Sequence, residues 1–301
     1  MNLDPRQLET FATIVQEGSL SAAALRLKVT LAATSLRIKA LEDRMGQRLL
    51  VRGKVSRATP AGQALLAHIK QVRLLEADLA STLKPAGTGL QVLNVAVNAD
   101  SLASWFLRGV QSALQKNKLL LHVVVDDQDH TLQWLQNGDV VGCVTTLAAP
   151  LRGCVAEPLG LMRYRCVAAP ALAASLCKGA KSPTPHRLLA TPAIGFNTKD
   201  GLQDQFLQQH LGLTQVNYPR HYLPAADAYH QALTDGMGWG MVATIQYAGD
   251  MQTGSLVDLF PGQLVDVPLY WQHWQREAPQ AAKLSLAIKQ AAAKALGWPL
   301  G

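Results

Sequence analysis

What most restricts the fold of this chain is a set of short, sharply punctuated helical periods within its first 46 residues. From Pro5, the apolar residues Leu8, Phe11, Ala12 and Val15 recur at three- and four-residue steps, the period of one helix face. Asp4 is placed to cap that helix, Pro5 suits its first turn, and Gly18 ends it. Ser19 or Ser21 opens a short second helix over 20–27, where alanines at 22–24 let a neighbouring helix approach closely. Lys28-Val29-Thr30 is a break, and Thr30 caps a third helix that runs to Met45 and stops at Gly46. The expected inward residues of this helix are Ala33, Leu36, Ile38 and Leu41, leaving Ser35, Arg37, Lys39 and Arg44 for solvent or phosphate. The segment 48–57 then reads as a hairpin made basic by Arg48, Arg52, Lys54 and Arg57. Helix, short helix, turn, helix, basic hairpin is the grammar of a winged helix-turn-helix, whose third helix enters the major groove of DNA.

The charge follows the same division. Of the net +7, residues 1–84 carry +6 and residues 85–301 carry +1. A basic head on a near-neutral body suits a nucleic-acid reader joined to a part with other work. A solvated basic surface gives the same count, so the head's pattern decides the matter and its charge does not. With 49% hydrophobic and 16% charged residues the chain is no disordered polymer, and 301 residues predict two or three domains. No uncharged apolar run reaches the roughly 18–20 residues of a membrane span, and no apolar segment follows a basic start. A cytoplasmic protein with no membrane partner is expected. Cys143, Cys154, Cys166 and Cys177 lie 11 or 12 apart, which fits neither a zinc site nor a disulfide framework, so reduced core thiols and no metal are expected.

Beyond the hairpin, Leu65, Leu66, Ile69, Val72, Leu75 and Leu79 share one face of a predicted helix from Pro60 to about Leu83. Such a helix beside a DNA-binding head predicts dimerisation; the alternative is that it packs on its own body. Residues 84–89 read as a hinge. Strand-like runs at 92–97, 119–125, 140–145, 165–168, 193–196, 216–222, 240–242 and 269–274 then alternate with helical stretches at 101–115, 131–137, 200–211, 225–235 and 279–296. That alternation predicts parallel sheets flanked by helices.

Leu8-Glu9-Thr10-Phe11, Gly18 to Ala24, Leu27, Leu41-Glu42, Gly46, Leu49-Leu50, Arg52 and Thr59-Pro60-Ala61-Gly62 together resemble the head of the LysR-type transcriptional regulators. Asn98 to Trp105, Gly138 to Gly142, Phe206 to Gln209, and Leu269-Tyr270-Trp271 with His273 resemble the family's lysine- and arginine-sensing branch, whose members control basic-amino-acid export. The resemblance covers essentially the whole chain. It implies an α+β multidomain protein: a winged helix-turn-helix at 1–59, a linker helix and hinge at 60–89, and a two-lobed α/β effector domain at 90–301, like a periplasmic binding protein. Lobe one is expected over 90–163 and 269–301, and lobe two over 164–268. The resemblance also implies double-stranded DNA, a lysine or arginine effector, a homodimer or homotetramer, and RNA polymerase as partners. The recognition helix departs from the family's habit: Leu31 and Leu36 stand where polar residues are usual, and Thr34 where an apolar one is.

The candidate DNA contacts are therefore Ser21, Thr30, Leu31, Thr34, Ser35, Arg37 and Lys39, with Arg52, Lys54 and Arg57 on the wing. Leu31 cannot donate to a base edge but can pack on a thymine methyl. For the effector, Ser101, after a strand and opening a helix, can meet a carboxylate. The ammonium groups need acceptors, for which Asp127, with Asp126 and Asp129 beside it, Asp100 and Asp227 are candidates. Thr145, Asn197 and Asp200 lie at strand ends, and Trp274 can cover methylenes or a guanidinium. No nucleophile elbow, zinc-protease helix or phosphate loop is present, and Gly236-Met237-Gly238-Trp239-Gly240 follows a helix and enters a strand, the reverse of a dinucleotide fingerprint. Neither an enzyme nor a cofactor is expected. The competing readings are a regulator of another effector class, such as a small organic acid, and a ligand-independent architectural DNA binder.

Replacing Arg52 or Arg57 with Ala is expected to weaken binding to all duplexes alike and to lower the slope of log affinity against log salt by about one unit per lost phosphate contact. Titrations over a salt series check this; a loss of sequence preference with nonspecific binding intact would remove both residues from the phosphate contacts.

Overall fold

The computed structural model describes residues 3–51, 53, 55–83, 90–125 and 128–297. The head contains α1 (Pro5–Glu17), α2 (Leu20–Arg26) and α3 (Leu31–Met45), followed by the hairpin strands β1 (Leu50–Val51) and β2 (Arg57–Ala58). Each helix is capped by a short polar side chain: Asp4 accepts from Arg6 N at 2.8 Å, Ser19 from Ala22 N and Thr30 from Ala33 N, both at 3.1 Å. Gly18 and Gly46 close α1 and α3 in the left-handed conformation. Phe11, Ile14, Ile38, Leu41 and Leu49 fill the core without exposure.

The inward face of α3 differs from the expected one. Thr34 is fully buried and Leu36 is 68% exposed. Thr34, Ile38, Leu41 and Glu42 recur at the steps that face α1, and Thr34 satisfies its hydroxyl on Thr30 O at 3.1 Å, so a small polar residue is tolerated there. Leu36 falls on the opposite side. Glu42 is buried as well and ties the hairpin to α3, accepting from Leu49 N at 2.9 Å, Leu50 N at 3.3 Å and Arg48 Nη1 at 3.0 Å. Burial raises the Glu42 carboxyl, but the Leu49, Leu50 and Arg48 donors outweigh it and hold the group below its ordinary value.

The linker helix α4 (Pro60–Leu83) divides its apolar face between two neighbours. Leu65 and Ile69 complete the head's core, whereas Leu74 packs on the core of the body and Leu75 and Leu79 stay exposed. Lys70 Nζ reaches Asp139 Oδ1 at 2.5 Å and Asn137 O at 3.1 Å. Gly138 has φ +68°, and a Cβ there would stand 3.1 Å from Ala67 Cα. The helix thus packs on its own body along part of its length. The expected hinge at 84–89 lies outside the described residues.

Among the described residues the body forms one nine-stranded sheet. Its strands are β3 (Gln91–Val97), β4 (Leu119–Val125), β5 (Gly142–Thr145), β6 (Cys154–Ala168), β7 (Ala193–Gly195), β8 (Arg220–Tyr222), β9 (Trp239–Ala243), β10 (Val257–Asp258) and β11 (Val265–Trp274). The order is β4-β3-β5-β11-β6-β9-β7-β8, with β10 on β6. As expected, the outer strands pair in parallel, β3 with β4 and β5, and β7 with β8 and β9. The centre differs. β6 starts at Cys154, not Arg165, and runs antiparallel to β11 from Cys154↔Trp274 to Tyr164↔Val265. β5 joins β11 and β9 joins β6, both antiparallel, so the two half-sheets are fused by two long strands.

Helices cover both faces. A helix begins as α5 (Ala99–Ser101), widens into a π-helical turn over Leu102–Phe106 and continues as α6 (Leu107–Asn117). After β4 comes α7 (Gln128–Gln136); α8 (Pro170–Cys177) and α9 (Pro185–Ala190) follow β6, and α10 (Leu202–Leu211) follows β7. α11 (Ala226–Thr234) and α12 (Ala248–Thr253) flank β9, and α13 (Pro279–Leu296) ends the described chain. A network anchors α13: Trp271 Nε1 donates to Ser285 Oγ at 2.8 Å, His273 lies between Glu157 at 3.0 Å and Glu277 at 3.2 Å, and Lys289 meets Glu157 at 2.8 Å. Among the described residues no helix is long and apolar enough to cross a membrane, and no cluster of His, Cys, Asp and Glu could hold a metal ion.

Glu42→Gln is expected to destabilise the head by about 1–3 kcal/mol, because the buried Leu49 and Leu50 amides lose a charged acceptor. A depressed carboxyl stabilises above its unfolded pKa, and that contribution disappears as pH falls through the folded value. Variant and native chain should therefore converge in acid, as read by denaturant unfolding and by hydrogen exchange at Leu49 and Leu50.

Candidate functional site

Two surfaces gather the chemistry. On the head, the N-terminal half of α3 presents Leu31, Ala32, Leu36 and Lys39 to solvent, with Ser35 half-buried beside them. Ser21 and Arg57 are exposed, and Thr30 is exposed while its hydroxyl caps α3. Arg37 is half-buried, and its Nη1 lies 3.3 Å from Thr10 Oγ1, bracing α3 against α1. Thr34, expected to read bases, is in the core instead. Arg52 and Lys54 lie outside the described residues.

In the body, the parallel half-sheets direct their carboxyl ends toward one another, the usual ligand position in open α/β sheets. A cavity of about 910 Å³ opens there. Its wall takes Asn98 and Asp100 from the segment after β3, Val125 from the end of β4 and Thr146 from beyond β5. The other half contributes Phe196, Asn197, Lys199 and Asp200 after β7, together with Tyr229 and Tyr247, and Tyr164 of β6 lies between.

Two carboxylates thus face the cavity from opposite halves. Asp200 accepts the backbone N–H groups of Phe196 at 2.9 Å and Leu202 at 3.2 Å. Asp100 Oδ2 accepts from the Tyr164 hydroxyl at 2.6 Å. Burial raises the Asp100 carboxyl; the Tyr164 hydrogen bond opposes this, the Asp200 carboxylate adds to it, and the group stands above its ordinary value. Burial likewise raises the phenols of Tyr164, Tyr229 and Tyr247, and Asp100 contributes to all three shifts through its charge. The Asp100 charge therefore reaches three tyrosines of the wall from different elements. Tyr229 is fixed by the carbonyls of Ile194 at 3.0 Å and Met241 at 2.9 Å, and a Cβ on Gly240 would stand only 2.6 Å from its hydroxyl, so a side chain there would displace it.

Of the expected effector residues, Asp100, Asn197 and Asp200 meet in this wall. Of the other expected residues that are described, Ser101, Thr145, Asp227 and Trp274 do not line it. Ser101 is the third residue of its helix, not the cap; it is fully buried and its Oγ has no hydrogen-bond partner. Thr145 is buried, with Oγ1 accepting from Leu147 N at 3.2 Å, and its neighbour Thr146 lines the cavity instead. Asp227 is exposed in the first turn of α11, close enough for its charge to reach Tyr247. Trp274 packs on the cluster of Cys143 and Cys154, away from the cavity. Asp126 and Asp127 lie outside the described residues. Sequence reading missed Tyr164, Phe196, Lys199, Tyr229 and Tyr247. Phe196 ends the strand expected at 193–196 and Tyr164 precedes by one residue the strand expected at 165–168, the two signals the sequence offers.

Each surface lies in a segment that matches a known family. Residues 5–63 match the family described as bacterial regulatory helix-turn-helix protein, lysR family, and residues 91–295 match the LysR substrate binding domain. The HTH-type transcriptional regulator ArgP of Pseudomonas aeruginosa is 38% identical over 94% of this chain and 93% of its own length. The crystal structure of ArgP from Mycobacterium tuberculosis superposes with a TM-score of 0.89 at 37% identity, covering 97% of this chain and 98% of that one. Full-length LysG from Corynebacterium glutamicum with bound effector Arg gives a TM-score of 0.86 at 31% identity, covering 99% and 100%.

Asp100→Asn is expected to raise the thermal midpoint of the ligand-free chain by about 2–4 °C for each kcal/mol of relieved charge burial. A raised carboxyl weakens the fold as pH climbs from the unfolded pKa through the folded one, so the gain should be present at neutral pH and fade in acid. Thermal melts across pH check this.

Proposed function

The chain belongs to the LysR-type transcriptional regulators, in the branch of ArgP and LysG, and on that premise we propose that its effector is a basic amino acid, arginine or lysine, held between Asp100 and Asp200. The protein is a DNA-binding regulator with a small-molecule-binding domain, and not an enzyme. The observation that carries the effector assignment is the pair of carboxylates facing one cavity from opposite halves of the sheet. An ammonium or guanidinium relieves the repulsion between them, and the Lys199 cation in the same wall suits an α-carboxylate. A small dicarboxylic acid would meet like charge at both aspartates. A cavity of about 910 Å³ also weighs against a ligand-independent binder, whose lobes would be packed with side chains. The LysG structure with bound Arg agrees in chemistry.

In this reading the effector bridges two half-sheets and favours one of their relative positions. Ligand and DNA affinity are then linked in both directions. Domains with boundaries at 59–60 and 89–90, a homodimer or homotetramer formed through α4, and base and phosphate contacts through α3 and the wing complete the proposal. The exposed Leu75 and Leu79 support α4 as the surface where copies meet.

Calorimetric titration of the full chain with arginine and lysine is expected to give saturable binding, weakened at least tenfold by either Asp100→Asn or Asp200→Asn. No heat and no thermal shift at millimolar concentrations of both amino acids would overturn the assignment. Tighter binding of a small dicarboxylic acid would transfer it to the organic-acid class.

A further inference from the structure

Leu36 is 68% exposed and Leu31 is 50% exposed, both on the half of α3 that a helix-turn-helix protein inserts into DNA. Ala32, Leu36 and Lys39 recur at helical steps of four and three on the side opposite the buried Thr34, Ile38 and Leu41, and Leu31 and Ser35 flank them at the N-terminal end. The stripe is poor in hydrogen-bonding groups. Thr34 is in the core, Thr30 lies at the cap and the half-buried Arg37 leans on Thr10, so the hydrogen-bonding side chains on the stripe itself are Ser35 and Lys39. Two exposed leucines on so basic a head gain nothing from water or from phosphate.

On the major-groove edges of the bases the thymine 5-methyl is the one alkyl group, projecting beyond the flat ring C–H edges. We infer that Leu31 and Leu36 form a methyl-reading pair, which selects sites by thymine methyls where a polar residue would select by hydrogen bonds. The occupant follows from charge: residues 1–84, head and linker together, carry +6 of the chain's +7, so an acidic duplex brings this face to the groove, and the stripe is its leading edge. Asp43, exposed seven residues beyond Leu36, sets the limit of the inserted stretch, since phosphates repel it. The inference rests on α3 being the groove-entering helix.

The test uses the full chain and a random-sequence duplex library. The most enriched duplex is remade with deoxyuridine in place of thymidine, which deletes the methyl groups and keeps every Watson–Crick and groove hydrogen-bonding atom. The native chain is expected to lose about fourfold in affinity for each contacted methyl, from the transfer of one methyl out of water. The double variant Leu31→Ala with Leu36→Ala should bind the two duplexes within twofold of one another while keeping the native salt dependence, which shows a folded head with phosphate contacts intact. Leu31→Gln should move enrichment toward adenine at one position, through its bidentate pairing to N6 and N7. Equal affinity of the native chain for both duplexes would overturn the inference and assign the leucines to a protein partner. Retention of the thymine preference by the double variant would overturn it as well. Absence of any salt-dependent duplex binding would instead remove the groove-entering role of α3 on which the inference stands.

Discussion

The antiparallel ladder between β6 and β11 is the constraint on which the body depends. Each strand is hydrogen-bonded on both sides, to the other and to one half-sheet, so neither half can be completed without it. The ladder also sets the floor of the cavity, where Tyr164 of β6 and Val267 and Pro268 of β11 line the space between the carboxyl ends of the parallel strands. Any relative movement of the two halves must be absorbed in these strands. The register shift between Leu269 and Tyr270 is a place where the ladder is already interrupted and the strand bent.

Two carboxylates show how the same chemistry is used in opposite ways. Glu42 gathers two backbone donors and Arg48, so its ionised form is favoured and it holds the wing to α3. Among the described residues the Asp100 side chain has the Tyr164 hydroxyl as its donor and feels a second carboxylate, so its ionised form is disfavoured. The first charge is satisfied by the fold and contributes to it. The second is left under-satisfied and is suited to a ligand. Between head and body, α4 supplies the mechanical link: Leu65 and Ile69 complete one core while Lys70 and Leu74 engage the other, so a displacement of the segment around Asp139 is felt by a helix built into the head.

The head was the more legible half because its helices are short, amphipathic and individually capped. Asp4, Ser19, Thr30, Gly18 and Gly46 each act on a backbone group within four residues, and such local chemistry is present in the sequence itself. The misplacement of Leu36 and Thr34 came from treating size as burial: a threonine that can satisfy its hydroxyl on its own helix can sit in a core, and a leucine can be left outside for binding. In the body, the parallel outer strands were readable from alternation. The first half of β6 was not, because Glu157, Pro158 and Gly160 break the apolar run over a segment whose strand form is imposed by β11.

The sequence by itself determined the head's elements and their order, the parallel outer strands of the body, the basic character of the head and three of the cavity's residues, since each of these follows from neighbours along the chain. Which carboxylates meet was decided only by tertiary structure. Asp100 and Asp200 are a hundred residues apart and come together because β6 and β11 fuse two half-sheets with their strand ends facing one space. The same long-range packing withdrew Ser101, Thr145 and Trp274 from that space and put Tyr164, Tyr229 and Lys199 into its wall. Local periodicity specifies which face of an element is apolar; it carries no information about which distant element that face will meet.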